Sequence, residues 1–262
     1  MRENGCYGRH LDRVFILFVR YLSWKIQLHR RVSEFPRLSS AVVFPMSKWF
    51  VKCTVRILGK SCSERYTDAD PYKIISIDPN QIERTTGEIF SKRRGWVVKG
   101  DWDRAGTEFM ERSYPKAIWQ RFVDGLAWEE TVLFRGSDHS VASQHAESID
   151  RLYERIKNSG YRSQRELLQE DPEAAWDGLN DAMHPLANEI SVDIGRDGEL
   201  LWNICGQHRL AIAKVLDVDE VPVQVFRRHH EWQEIRDRAR RGEEIPERFC
   251  AHPDLQDLFG ED

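Results

Sequence analysis

The residues best placed to do chemistry are Gly206-Gln207-His208-Arg209, which follow the apolar stretch Leu200–Ile204 and open the nearly all-apolar run Leu210–Leu216. A glycine where a strand meets a helix lets the backbone approach a ligand closely. The first turn of a helix has unpaired N–H groups and the positive end of the helix dipole, so it favours an anion such as phosphate. His208 and Arg209 fall in that turn as donors, and arginine binds phosphate in a two-pronged fork. Without an anion between them, cations at a helix N-terminus oppose the dipole by ~0.3–1 kcal/mol each. The other reading of this spacing is a tight turn that carries surface His and Arg.

Chemistry on a bound phosphate needs a carboxylate, either to deprotonate an acceptor hydroxyl or to hold Mg²⁺ against the phosphates. The candidate catalytic carboxylates are Asp78 and Glu83, and Asp101 with its neighbour Asp103 in the cluster Gly100-Asp101-Trp102-Asp103. Asp78-Pro79-Asn80 is also an ordinary turn sequence. No metal centre is expected. His229-His230 and the pair His139/His145 lack further ligands at helical spacing, and the five cysteines form no CxxC pair. An odd, sparse set of cysteines reads as reduced thiols in a cytoplasm.

The elements that must position these residues are legible from periodicity. Ile74, Ile75 and Ile77 make a short strand closed by Asp78-Pro79-Asn80. Ser113, with Pro115 in the first turn, starts a helix that carries Ile118, Trp119, Phe122 and Val123 on one face. A longer helix runs from about His145 to Asn158, with Ile149, Leu152, Tyr153 and Ile156 on one face and Gly160 as its stop. Ile190, Val192 and Ile194 alternate with Ser191 and Asp193 as a half-buried strand. A hairpin turn at Arg196-Asp197-Gly198 returns the chain through Leu200–Ile204. The helix opened by Gly206 leads into a further strand at Val221, Val223 and Val225, and a charged helix around Trp232 closes the chain. The tryptophans Trp102, Trp119, Trp128, Trp176, Trp202 and Trp232 read as core or pocket walls rather than a base-stacking platform.

The net charge of −4 conceals an asymmetry. Residues 1–67 carry 13 Lys+Arg against 4 Asp+Glu, and residues 68–262 carry 26 against 39. The acidic body argues against a large DNA-reading face there, because phosphate neutralisation needs clustered cations. The basic leader has two readings: a stretch that lies on an anionic membrane or grips DNA, or a poorly ordered extension in which Met46 offers an alternative start. Its longest apolar run near the start, Val14–Val19, is six residues and ends at Arg20, too short to span a membrane. The expected divisions are 1–67 as the basic extension, 68–230 as the main domain and 231–262 as a charged helix with an acidic tail.

Three ordered segments resemble the ParB/sulfiredoxin-like domain family. They are Ile75-Ser76-Ile77-Asp78-Pro79-Asn80-Gln81-Ile82-Glu83-Arg84, the stretch Leu152–Gln164, and Gly206-Gln207-His208-Arg209 with the following helix and Val221-Pro222-Val223. The resemblance implies an α+β fold, a small mixed sheet with packed helices, with a long insertion at about 85–146 after the first strand. It implies a site for a nucleoside triphosphate, ATP or CTP with Mg²⁺, held by Gly206, Gln207, His208 and Arg209 and aided by Arg151, Arg155 and Gln164. Phosphoryl transfer or nucleotide hydrolysis is the activity expected from it, and a DNA-associated or nuclease role is the alternative. Two departures matter. Sulfiredoxins have a cysteine nucleophile where this chain has Gln207, and Cys205 lies two positions earlier, as expected of inert packing. The 36 residues past Phe226 are too few for the DNA-reading helix-turn-helix that follows this domain in ParB proteins.

Overall fold

The computed structural model describes residues 39–61, 66–87, 94–135, 139–176 and 184–259. Its strands are β1 (Ile74–Ile77), β2 (Arg84–Thr85), β3 (Trp96–Val98), β4 (Ile190–Ile194), β5 (Leu200–Trp202) and β6 (Val221–His229), with apolar alternation in β4 and the first half of β6. They form one mixed sheet in the order β1-β6-β4-β5-β2, with β3 also paired to β6. The nine-residue β6 is its spine. It holds β4 parallel on one edge; on the other it pairs antiparallel with β1 over its first half and parallel with β3 over its last residues. β4 and β5 form the antiparallel hairpin expected from Arg196-Asp197-Gly198. The mixed α+β class expected from the sequence is the class observed.

The helices are α1 (Phe44–Ser61), α2 (Ser113–Phe122), α3 (His139–Ser159), α4 (Gln164–Glu170), the single turn α5 (Pro172–Ala175), α6 (Gln207–Val215) and α7 (His230–Arg240). Ile190, Val192, Ile194, Val223 and Val225 join Leu210, Ala211, Ile212 and Ala213 of α6 in the main core. Both α2 and α3 pack on α6, which explains why its sequence is apolar nearly all round.

Positions between those apolar ones are buried too, and they are polar. Val192 pairs with Val225 but Ile194 pairs with Arg228, so Phe226 and Arg227 together stand opposite Asp193. This bulge re-aims Arg227. Its Nε donates to Asp193 Oδ2 at 2.7 Å, and its Nη2 donates to the Thr86 hydroxyl at 2.7 Å. Asn203 Nδ2 donates to the other Asp193 oxygen at 3.0 Å.

Three expected boundaries are crossed by packing. Within the basic leader, residues 39–61 are helical. The Phe44 ring stacks on His184 at 4.2 Å, and Val55 is buried where a side chain on Gly95 would strike it. Residues 1–38 lie outside the described residues. The 85–146 insertion supplies β3 and α2 to the body rather than looping away from it. The C-terminal segment is anchored by Asp254, which is fully buried and accepts from Arg228 Nε at 2.8 Å and Trp232 Nε1 at 3.0 Å. Among the expected tryptophans, Trp102, Trp128, Trp202 and Trp232 are core residues, whereas Trp119 is 44% exposed.

Candidate functional site

The turn that leads into α6 is tied to β4. Cys205 N donates to Ser191 Oγ at 2.8 Å, Ser191 N donates to Cys205 O at 3.2 Å, and Trp202 Nε1 donates to the same carbonyl at 2.9 Å. Gly206 is left-handed at φ +76°, and a Cβ there would lie 2.7 Å from Ile190 Cα. The glycine is therefore required by the strand beneath it; the close approach expected toward a ligand is made toward Ile190. Cys205 is buried against the same strand.

Beyond Gly206, the amides of Gln207, His208 and Arg209 donate to no backbone carbonyl among the described residues. Gln207 Oε1 and His208 Nε2 are buried without a hydrogen-bond partner. The edge of the Tyr114 ring meets His208 at 4.7 Å between centroids, and the Tyr114 hydroxyl is hydrogen-bonded to His145 Nδ1. Burial, with His145 and Arg209 nearby, pushes the His208 imidazole down to about 4, so it is neutral at neutral pH.

Arg209 is not on the surface. It is 7% exposed; its Nη1 donates to Glu189 Oε2 at 3.1 Å and its Nη2 donates to the Asn188 carbonyl. Glu189 Oε1 accepts in turn from the Gln164 amide at 2.5 Å, at the first residue of α4. Burial pushes the Glu189 carboxyl up, against the opposing pull of Arg209 and that amide. Gln164 Oε1 is buried close by with no hydrogen-bond partner, and the buried Tyr161 hydroxyl lies against the Arg209 guanidinium.

Arg209 forms part of the wall of a cleft of about 240 Å³ between the C-terminal half of α3 and α4. Leu152, Ile156 and Leu167 give it an apolar side, and Arg155, Arg162, Glu170 and Asp171 give it charge. Arg162 and Glu170 are ion-paired, and Asp171 Oδ1 accepts from the Ala174 amide at 3.0 Å. At this size the cleft is below the ~300–1,000 Å³ of sites that enclose a whole drug-sized molecule. It suits a phosphate or diphosphate end, with the rest of a ligand outside.

Of the residues singled out from the sequence, Arg155 and Arg209 meet in this cleft, with Gln164 joined to Arg209 through Glu189. Arg151 lies one turn away from Arg155 on α3, and its guanidinium donates to Ser148 Oγ at 3.0 Å. The candidate carboxylates lie elsewhere. Asp78 caps a turn by accepting from Asn80 N at 2.7 Å; with Glu83 it acts on Lys214, in the last turn of α6, about 12 Å along the helix from Gly206. Asp101 and Asp103 both take Arg196, each at 2.7 Å, beyond the end of β4 opposite to the one Gly206 touches. Four intervening steps of strand separate those ends by about 13 Å.

Sequence reasoning missed Glu189, Glu170 and Asp171. Glu189 directly precedes an apolar alternation and reads as a strand's exposed edge; its burial follows from Arg209, twenty residues on. Among the described residues there is no group of three or more His, Cys, Asp or Glu that could hold a metal by itself. Mg²⁺ needs no such cage, since one or two carboxylates suffice when substrate phosphates supply further ligands. Glu170 and Asp171 fit that donor set. No family model matches the chain, and no curated protein and no solved structure matches it.

Proposed function

We propose that the protein binds a nucleotide through its phosphates in the α3–α4 cleft, as a ParB/sulfiredoxin-like domain using the Gly206–Arg209 turn. The observation that carries the reading is that Arg155 and Arg209, singled out separately in the sequence, line one cleft. The buried Gln164 Oε1 without a partner, joined to Arg209 through Glu189, adds support, because such a group costs about 1–3 kcal/mol unless a ligand or water satisfies it. The ligand is a nucleoside triphosphate, ATP or CTP; Glu170 and Asp171 are the cleft carboxylates that would hold its Mg²⁺, which would offset phosphate charge. Phosphoryl transfer or hydrolysis is the activity this set serves. In it Arg155 and Arg209 offset phosphate charge.

The test is the melting midpoint of the full chain with ATP, CTP and GTP, each with and without Mg²⁺. Saturation at a hundredfold excess over Kd adds ~2.7 kcal/mol, a shift on the order of 5–10 °C. The shift with one nucleotide should disappear in Arg155→Ala, whose residue is only partly buried. No shift with any nucleotide, or an equal shift in the variant, rejects the reading.

A further inference from the structure

Arg162 lines the cleft beside Arg155 and Arg209, and its guanidinium is ion-paired with Glu170, which lines the cleft as well. Arg162 stands in the short connection between α3 and α4, one residue before Ser163, the N-cap of α4. Glu170 is the last residue of that helix. Glu166, one turn earlier, feels the Arg162 charge too, although the Ser163 hydroxyl and amide do most to hold its carboxyl down. Two carboxylates at i and i+4 on α4 thus act on a single guanidinium.

This pair is of a kind that exchanges. The Arg162 side chain is 39% and the Glu170 side chain 53% exposed, and exposed ion pairs hold weakly. Arg209 differs, because its partner Glu189 is buried with it and breaking that pair strands a charge. Charge in the cleft is balanced: Arg155, Arg162 and Arg209 stand against Glu170 and Asp171 in the wall and Glu189 behind Arg209. A phosphate that entered by itself would face Glu170 and Asp171 and find Arg162 engaged. A divalent cation by itself would face the arginines. Together, each offsets the charge that repels the other.

We propose that Arg162 is a third phosphate-binding residue, masked by Glu170, and that Glu170 exchanges Arg162 for Mg²⁺ when phosphate and metal enter the cleft together. Resting on the phosphate reading of this cleft, the exchange adds what couples the metal to it. Arg162 turns its fork from a carboxylate to phosphate oxygens, which it binds with the same two-pronged geometry. Glu170, an oxygen donor, suits Mg²⁺. The ligand class this selects is a phosphate chain that carries its divalent cation; the metal-free chain binds poorly. The coupling is reciprocal, so phosphate also tightens the hold of the cleft on the metal.

The experiment is calorimetric titration of the full chain with inorganic pyrophosphate, in EDTA and in Mg²⁺, for wild type, Glu170→Gln, Arg162→Gln and the double variant. Wild type should bind about tenfold or more tighter with Mg²⁺. Without metal, Glu170→Gln should bind about threefold tighter than wild type, because Arg162 is released. The double variant should then bind no tighter than Arg162→Gln alone. Both substituted side chains are exposed, and unchanged circular dichroism and melting show that the fold is retained. If the gain survives in the double variant, Glu170 acts only by repelling phosphate and the exchange is overturned. It is equally overturned if Glu170→Gln gains nothing without metal, if Mg²⁺ makes no difference to wild type, or if pyrophosphate does not bind. The phosphate reading of the cleft fails separately, when neither pyrophosphate nor any nucleotide gives a response that Arg155→Ala removes.

Discussion

Arg209 Nη1 stands 3.1 Å from Glu189 Oε2, and both side chains are buried. The residue the motif offers as a phosphate fork is therefore already half of an internal ion pair, one that joins the start of α6 to the residue before β4 and, through the Gln164 amide, to the start of α4. A phosphate that reaches Arg209 meets a guanidinium fixed in place, with Glu189 sharing its charge. Arg155 lines the same cleft and is less buried than Arg209.

Removing Arg209 should thus unsettle the fold as well as the site. Arg209→Ala strands a buried carboxylate, and breaking such a pair costs about 3–5 kcal/mol. Urea denaturation should show that loss, and Arg209→Ala combined with Glu189→Ala should lose less than the sum of the single changes. Strict additivity would mean that the pair does not couple.

Gly206 and Gly160 both have φ +76°. A Cβ on Gly160 meets nothing within 4 Å, whereas one on Gly206 strikes the Ile190 backbone. Gly160→Ala should cost about 1 kcal/mol, the left-handed penalty alone, and Gly206→Ala about 1–3 kcal/mol more. Equal costs in denaturant titrations would show that the turn can move away from β4.

Stability should carry a signature of His184. Burial pushes this imidazole down to about 4, and it sits stacked on Phe44, accepting from Leu186 N at 3.2 Å. Its unfolded value is about 6.5. Above that, both states are neutral and the full contribution is present. As pH falls from about 6.5 toward 4, the unfolded chain takes up a proton that the native state resists, and stability is lost. His184→Gln lacks this penalty. It should melt below wild type near neutral pH, where it loses the stack, and the gap should narrow as pH falls through that window. A gap independent of pH would contradict burial of a neutral His184.

Much of the frame was legible because apolar periodicity is local. Ile74–Ile77, the Ile190–Ile194 alternation, the turn at Gly198 and the glycine that opens α6 all lie where the pattern puts them. The helix read from about His145 to Asn158 runs from His139 to Ser159. What stayed hidden depends on partners distant in sequence. Val221–Val225 continues through Arg227 and Arg228 to His229, and a run of cations reads as solvated until Asp193 and Asp254 are found facing it. β2 and β3 are two and three residues long and leave no periodic trace. In the site, Arg155 and Arg209 were visible as residue types in a motif. Glu189 was not, because only its burial beside Arg209 marks it.

The claim that phosphates bind between α3 and α4 is tested most directly by amide hydrogen exchange on the full chain, with and without the nucleotide that raises its melting point. The account predicts slowed exchange in peptides covering 152–171 and 205–210, and no change around Asp101 and Arg196. Protection at the Asp101–Arg196 end of the sheet instead, or no protection along α3, α4 and the Gly206 turn, would contradict it.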